Sequence, residues 1–262
     1  MGKSFVDKLR DAVRLLLSDP KRFCSKSWGA FRSAFRVFQP MRADYRRRLD
    51  MTLREWLVYH HKNIVFDKCR WMGVKTLKNP LDTWIYQEII FETKPDILIE
   101  IGSASGGSTL YFAHLFDMMG HGQVISIDID RSTYGVKHNR VTEITGDSSS
   151  VGVIARVAEV CQGKNCMVVH DGGHRKEQVL ADLACYARFV GSGSYIVVED
   201  TVIDIFKPGD GVGQFYDGPL KAAEQFVESN ADFVVDEERE RYILTFSVRG
   251  FLRRTRPAES GS

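Results

Sequence analysis

Four residues in the second half of the chain carry the strongest chemical signal: Asp171 and His174 in Asp171-Gly-Gly-His174, and the adjacent pair Glu199-Asp200. Each group follows a short apolar run, Val168-Val-His170 in one case and Tyr195 to Val198 in the other. Each therefore sits where a buried strand is expected to end. If the two strands are neighbours, Asp171, Glu199 and Asp200 meet at one rim. Three carboxylates in one place repel one another unless a cation lies among them. Oxygen ligands select a hard ion, Mg²⁺ before Ca²⁺ or Mn²⁺, and such an ion lowers the pKa of a hydroxyl bound to it. His174, with an ordinary pKa of about 6.5, suits general-base work near neutrality. The plain alternative makes Asp171 a helix cap, His174 a loop residue and Glu199-Asp200 solvated charge. His170, inside the apolar run, reads as a hydrogen-bonded core histidine.

Upstream, Asp96-Ile-Leu-Ile-Glu100-Ile-Gly102-Ser103-Ala-Ser-Gly106-Gly107-Ser108 joins an apolar strand to a Gly/Ser turn and a helix N-terminus. Such a turn presents backbone N–H groups and lets a ligand approach the main chain closely. Gly102-x-Ala104-x-x-Gly107 can be read as a dinucleotide fingerprint. The same residues also read Glu100-x-Gly102-x-Ala104-x-Gly106, the pattern of methyltransferases that use S-adenosylmethionine. A carboxylate beside the turn suits a ligand bearing an ammonium and a sulfonium and repels a pyrophosphate. Asp128, near the end of the next apolar run, can accept hydrogen bonds from ribose hydroxyls in either cofactor class. Asp147, after a shorter run, can meet an adenine amino group. Candidate cofactor contacts are thus Glu100, Gly102, Ser103, Gly106, Ser108, Asp128 and Asp147. Any one of the acidic residues alone reads as a turn former, and three at successive strand ends weaken that reading.

These residues require a scaffold that brings strand ends together. Strands are predicted at 97–101, 123–129, 143–146, 166–170 and 194–198, with a closing pair at 233–235 and 242–248. Helices are predicted at 82–93 (Trp84, Ile85, Ile89 and Ile90 inward), 151–161, 175–190 and 220–229. Alternating strands and helices indicate an α/β fold with a mostly parallel doubly wound sheet, its ligands at the carboxyl ends of the strands.

The chain has 262 residues, 44% hydrophobic and 27% charged, enough for one α/β domain plus an appendage. Five scattered cysteines, Cys24, Cys69, Cys161, Cys166 and Cys185, lack a metal-type spacing and suggest reduced thiols in a cytoplasmic protein. No apolar run is long enough to span a membrane, and no secretory leader follows Met1. Val6 stands where N-myristoylation wants Ser or Thr. The net charge of +2 hides an excess of basic residues in the first fifty positions. Helical patterns at 4–18 (Phe5, Leu9, Val13, Leu16, Leu17) and 27–38 (Trp28, Phe31, Phe35, Phe38) make this an aromatic, basic appendage. It is expected to dock on the core or on a second copy in a homo-oligomer. The alternative is an interfacial helix on an anionic membrane, which would place the protein at the inner face of the membrane. No nucleic-acid motif accompanies the charge. The segment 203–217, with Phe206, Phe215 and Tyr216, is expected to be a mobile substrate lid, and 256–262 a disordered tail.

Trp71-x-Gly73, Lys78-Asn79-Pro80, Asp82-Thr-Trp-Ile-Tyr-Gln-Glu-Ile-Ile and Lys94-Pro95-Asp96 lead into Ile99-Glu100-Ile-Gly102. Gly106-Gly107-Ser108, Ser126-Ile-Asp128, Asp171-x-x-His174, Glu199-Asp200, Gly218-Pro219 and Gly250-Phe-Leu-Arg-Arg follow in order. This series resembles the cephalosporin hydroxylase family, which also includes rhamnosyl O-methyltransferases. The resemblance implies a Rossmann-like class I methyltransferase fold with a seven-stranded sheet, binding S-adenosylmethionine and Mg²⁺. Asp171, Glu199 and Asp200 match the family's metal ligands. The Asp-x-x-His arrangement is similar to that of metal-dependent sugar O-methyltransferases of macrolide pathways, which makes His174 the implied base. The implied acceptor is a hydroxyl of a sugar in a glycolipid, polysaccharide or secondary metabolite. Expected boundaries are 1–70 for the appendage, 71–254 for the methyltransferase domain and 255–262 for the tail. An NAD-type oxidoreductase and a non-catalytic membrane-associated protein of the same fold remain as alternatives.

Overall fold

Strand β3 (Ile97–Ile101), buried at every position, lies between two packed layers because its alternate residues feed opposite faces of the sheet. Ile97, Ile99 and Ile101 pack on one face of the sheet with Val153, Val157, Leu183 and Phe226. Leu98 packs on the other with Ile85, Ile89, Phe112 and Phe116. That is the period-two side-chain alternation of a strand covered on both sides. Each such side chain contributes roughly 1.5–3 kcal/mol by leaving water. This is a computed structural model, which describes residues 45–256 apart from 208, 211 and 213–216. The patterns at 4–18 and 27–38 lie outside the described residues.

The other strands are β1 (Arg70–Trp71), β2 (Val74–Lys75), β4 (Gln123–Asp128), β5 (Val141–Thr145), β6 (Cys166–His170), β7 (Tyr195–Val198), β8 (Phe233–Val235) and β9 (Phe251–Arg254). β1 and β2 form a small antiparallel hairpin, and the remaining seven make one sheet in the order β5-β4-β3-β6-β7-β9-β8. Pairing is parallel from β5 through β7, and β9 runs antiparallel to both β7 and β8. Ile101 pairs with both Ile127 and His170, and His170 with Val198. The carboxyl ends are therefore level, and Gly102, Asp128, Asp171 and Glu199 emerge along one edge. The expected mostly parallel, seven-stranded Rossmann-like sheet is present.

Six helices of eight or more residues occur among the described residues: α1 (Leu53–His60), α2 (Pro80–Thr93), α3 (Gly107–Met119), α4 (Val151–Cys161), α5 (Lys176–Tyr186) and α6 (Pro219–Ser229). α1 continues into a π-helical stretch, His61–Val65. At the start of α2 the Asn79 side chain accepts from Leu81 N and Pro80 occupies the first turn, a strong start signal. The chain divides into two compact units, Met1–Trp56 and Leu57–Ser262, so residues 57–70 group with the sheet.

Two local expectations fail. Trp84 is 59% exposed, and Tyr86 takes the inward position beside Ile85, Ile89 and Ile90. The strand that pairs with β8 is Phe251–Arg254, not 242–248. Ile243 and Arg249 have φ of +66° and +52°, which break an extended run. The intervening backbone is tied to α2 instead: Asn79 Nδ2 donates to Leu244 O at 2.8 Å, and Phe246 N donates to Asp82 Oδ2 at 2.8 Å.

Candidate active site

A cleft of about 380 Å³ opens over the carboxyl ends of β3, β4 and β6. Its floor is the turn after β3. Gly102 has φ +84°, and a Cβ there would lie 2.0 Å from the Asp171 carbonyl oxygen. Only glycine allows the turn and the loop after β6 to touch main chain to main chain. Asp171 N donates to Ile101 O at 2.7 Å and completes the seam.

The turn is held from the side by Asp128. Its Oδ2 accepts from Ser103 N at 2.9 Å and Ala104 N at 2.8 Å, and its Oδ1 accepts from Asp130 N at 3.0 Å. Partial burial opposes the Asp128 charge, but these three backbone N–H groups outweigh it and hold the pKa below the usual carboxylate value. Asp128 and Asp147 both line the cleft, as do Gly102, Ser103 and Ser108. Asp147 Oδ1 accepts from Ser149 N and Oγ at 2.9 and 2.8 Å. Gly106 and Glu100 are not in the lining. Gly106 caps α3 with φ +86°. Glu100 is fully buried beneath the turn, where Thr109 Oγ1 donates to its Oε2 and its Oε1 has no partner. Burial pushes its pKa up, against the opposing pull of Lys78 and the Ser108 and Thr109 hydroxyls.

On the opposite side of the cleft stand Asp171, His174 and Asp200. His174 Nε2 lies 2.9 Å from Asp200 Oδ2. That hydrogen bond, opposed by burial, raises the His174 pKa above its ordinary value. Asp200 itself has φ +56°, uncommon for a non-glycine residue and costing of order 1–3 kcal/mol. The strain turns its carboxylate out of line with β7 and toward His174. One ligand atom from each of Asp171, His174 and Asp200 can lie within 4.8 Å of the others. Two carboxylates and an imidazole fit a divalent ion.

Glu199, the third carboxylate expected around a cation, shares one with Asp171 here, the Lys78 ammonium. Glu199 is 6% exposed. Lys78 Nζ donates to Glu199 Oε2 at 2.6 Å, and Tyr86 Oη donates to Glu199 Oε1 at 2.5 Å. Lys78 Nζ also donates to Asp171 Oδ2 at 2.6 Å. Burial opposes the ammonium, but Asp171, Glu199 and Glu100 outweigh it and lift the Lys78 pKa above the ordinary lysine value. Burial raises the pKa of Asp171 and of Glu199 despite Lys78. One ammonium thus lies between two of these carboxylates and within electrostatic reach of Glu100, and burial favours protons on the carboxyl groups that it does not neutralise. Lys78 and Tyr86 lie within the quoted family motifs, but nothing in their spacing signalled a place under the cleft.

His170 is the core histidine expected. Its Nε2 lies 2.9 Å from Asp182 Oδ2, while Ser148 Oγ donates to Asp182 Oδ1 at 2.7 Å. Asp182 was not singled out in the sequence, because a lone Asp on a helix gives no signal of its distant partners. Phe206 is 5% exposed and packs its ring 5.4 Å from that of His61, so it is core rather than a lid residue. Phe215 and Tyr216 lie outside the described residues.

A second cluster, His114, Asp117 and His138, is unsuited to a metal as built. Trp71 Nε1 donates to His114 Nδ1 at 3.0 Å, and Arg140 N donates to His138 Nδ1 at 3.2 Å. Both rings therefore carry their proton on Nε2, the nitrogen a shared ion would need. Asp117 is further neutralised by Arg140 Nε at 2.7 Å.

Similarity to known proteins agrees with this architecture. Among solved structures, CmcI in its Mg–SAM form aligns with TM-score 0.58 at 21% identity, covering 73% of this chain and 78% of that one. The apo form of CmcI aligns with TM-score 0.56 at 22% identity, covering 79% and 85%. At these identities the likeness speaks for the fold. A rhamnosyl O-methyltransferase of Mycobacterium leprae is 33% identical over 217 residues, 79% of this chain and 92% of the relative. Its counterpart in Mycobacterium bovis is 29% identical over 211 residues, 78% and 85% respectively. The sequence model for rhamnosyl O-methyltransferase/CmcI matches residues 63–255, which takes in the glycine turn, the Asp171–His174 loop and the Glu199-Asp200 pair together. The chain belongs to the rhamnosyl O-methyltransferase/CmcI family.

Proposed function

We propose that this protein is an S-adenosylmethionine-dependent O-methyltransferase that modifies a sugar hydroxyl with the help of a divalent ion, Mg²⁺ first. The observation that carries the reading is one cleft with two unlike walls. A glycine turn, Asp128 and Asp147 line one side, and the His174–Asp200 pair with Asp171 lines the other. The named relatives methylate rhamnosyl groups, and the CmcI structure holds Mg and SAM; both points support the assignment.

In this reading Gly102, Ser103 and Ser108 receive the methionine end of the cofactor. Asp128 keeps lone pairs for the ribose hydroxyls, since each of its oxygens can accept a further bond. Asp147 and Ser148 receive the adenine. Asp171, Glu199 and Asp200 would hold the ion, which would polarise the acceptor hydroxyl as a Lewis acid. His174 takes the proton from that hydroxyl, and Asp200 stabilises the imidazolium that results. The hydroxyl oxygen then attacks the methyl carbon, the carbon–sulfur bond breaks, and S-adenosylhomocysteine leaves. Orientation and electrostatic stabilisation supply most of the rate.

The test is methyl transfer from labelled S-adenosylmethionine to a rhamnoside, with His174→Ala alongside the native chain. The variant is expected to lose roughly 10²- to 10⁴-fold in kcat while binding the cofactor within about threefold. Tight NADH binding without S-adenosylmethionine binding would defeat the proposal. The basic, aromatic composition of residues 1–50 supports a lipid-linked acceptor met at a membrane surface. Equal flotation with anionic liposomes by the whole chain and by one lacking residues 1–50 would remove that part.

A further inference from the structure

The ammonium of Lys78 stands between two of the three acidic positions at the strand ends. Its Nζ is 2.6 Å from Asp171 Oδ2 and 2.6 Å from Glu199 Oε2. Its side chain is 2% exposed, so it is not a surface lysine that has folded inward by chance. The backbone is shaped to deliver it: Leu77 has φ +53°, and Asn79 and Pro80 then start α2. Tyr86, on the same helix, holds the other oxygen of Glu199. Asp171 is shared, because it also belongs to the group with His174 and Asp200 that can surround an ion.

We infer that Lys78 is a resident cation that competes with the divalent ion for Asp171 and Glu199. In the ion-free chain the ammonium balances part of the buried negative charge and keeps the cleft folded. When an ion binds, the two cations are drawn to the same carboxylates and repel each other, so the lysine must withdraw from them. Ion affinity is therefore set below what the carboxylates alone would give, and loading is reversible. The inference rests on the ion site proposed above and adds a competitor to it.

Binding of Mn²⁺ alone, followed by titration calorimetry, tests this in the native chain and in Lys78→Met. The variant is expected to bind Mn²⁺ at least tenfold more tightly. Equal or weaker binding by a folded variant would overturn the competition while leaving the ion site intact. Absence of Mn²⁺ binding by both proteins would overturn the inference and the ion site together. Because the substitution leaves buried carboxylates without their cation, a second measurement uses the native chain only. Lysine ammonium signals in ¹⁵N-labelled protein are followed during Mg²⁺ addition. The protected Lys78 signal is expected to shift or vanish as Mg²⁺ saturates, and an unchanged signal at saturation would overturn the inference.

Discussion

The network of His170, Asp182 and Ser148 and the network of Lys78, Asp171 and Glu199 both lie buried at the carboxyl end of the sheet, and they are built to different rules. In the first, each oxygen of Asp182 has its own donor, and Tyr186 Oη closes the ring by donating to Ser148 O at 2.9 Å. In the second, one ammonium is shared by Asp171 and Glu199, and Oε1 of nearby Glu100 is left without a partner. A satisfied buried network fixes a shape, whereas an unsatisfied one is costly to maintain. The first is a structural joint between the strand that ends at Asp171 and the loop that lines the cleft at Ser148. The second crowds carboxyl groups around a single ammonium, whose place a bound cation can contest.

The largest effect expected from this contrast is on stability. Lys78→Met removes the one cation among buried carboxylates and should cost about 3–5 kcal/mol in urea unfolding without added ion. Part of that loss should return with saturating Mg²⁺, which binds the folded state. An unchanged midpoint in the variant would mean that the carboxyl groups do not need the ammonium. Asp182→Asn should cost less, about 1–3 kcal/mol for unpaired buried donors, and Mg²⁺ should return none of it. Weaker S-adenosylmethionine binding should accompany it, because Ser148 loses its anchor. Equal rescue of both variants by Mg²⁺ would erase the distinction.

The smallest effect concerns Asp82, which ties α2 to Phe246. Burial, opposed by hydrogen bonds from Phe246, Thr245 and Asn79, pushes its pKa up to about 6. A carboxyl group with a raised folded pKa is protonated in the native state where the unfolded chain has already lost the proton. The native state then binds more protons, so this group's contribution to stability falls as pH rises from about 4 to about 6. Asp82→Asn should flatten the stability profile across that window by about 1–3 kcal/mol relative to the native chain. Parallel profiles would show that Asp82 ionises normally.

Much of the scaffold was legible in the sequence because local rules and burial agree there. The strands at 97–101 and 166–170 and the helix at 151–161 were readable from their apolar patterns. The closing strand was misplaced because Tyr242 to Val248 has strand-like composition, while its backbone is governed by bonds to Asn79 and Asp82, far away in sequence. The site was legible to the extent that chemistry sits at strand ends. Asp171, His174 and Asp200 do meet. Glu199 meets Asp171 through the Lys78 ammonium between them. Lys78 lies 93 residues from Asp171 in sequence, and no periodicity links the two.

The seam at Gly102 and Asp171 bears on how the family can diversify. In the reading proposed above, the spacing between the donor side and the base side of the cleft is set by a main-chain contact, not by side chains that vary freely. Replacing acceptor-facing residues therefore leaves the stroke length of the transfer untouched. Even Gly102→Ala, which adds a single carbon, would wedge the two halves apart. Acceptor choice can drift in such a protein while the transfer geometry stays fixed.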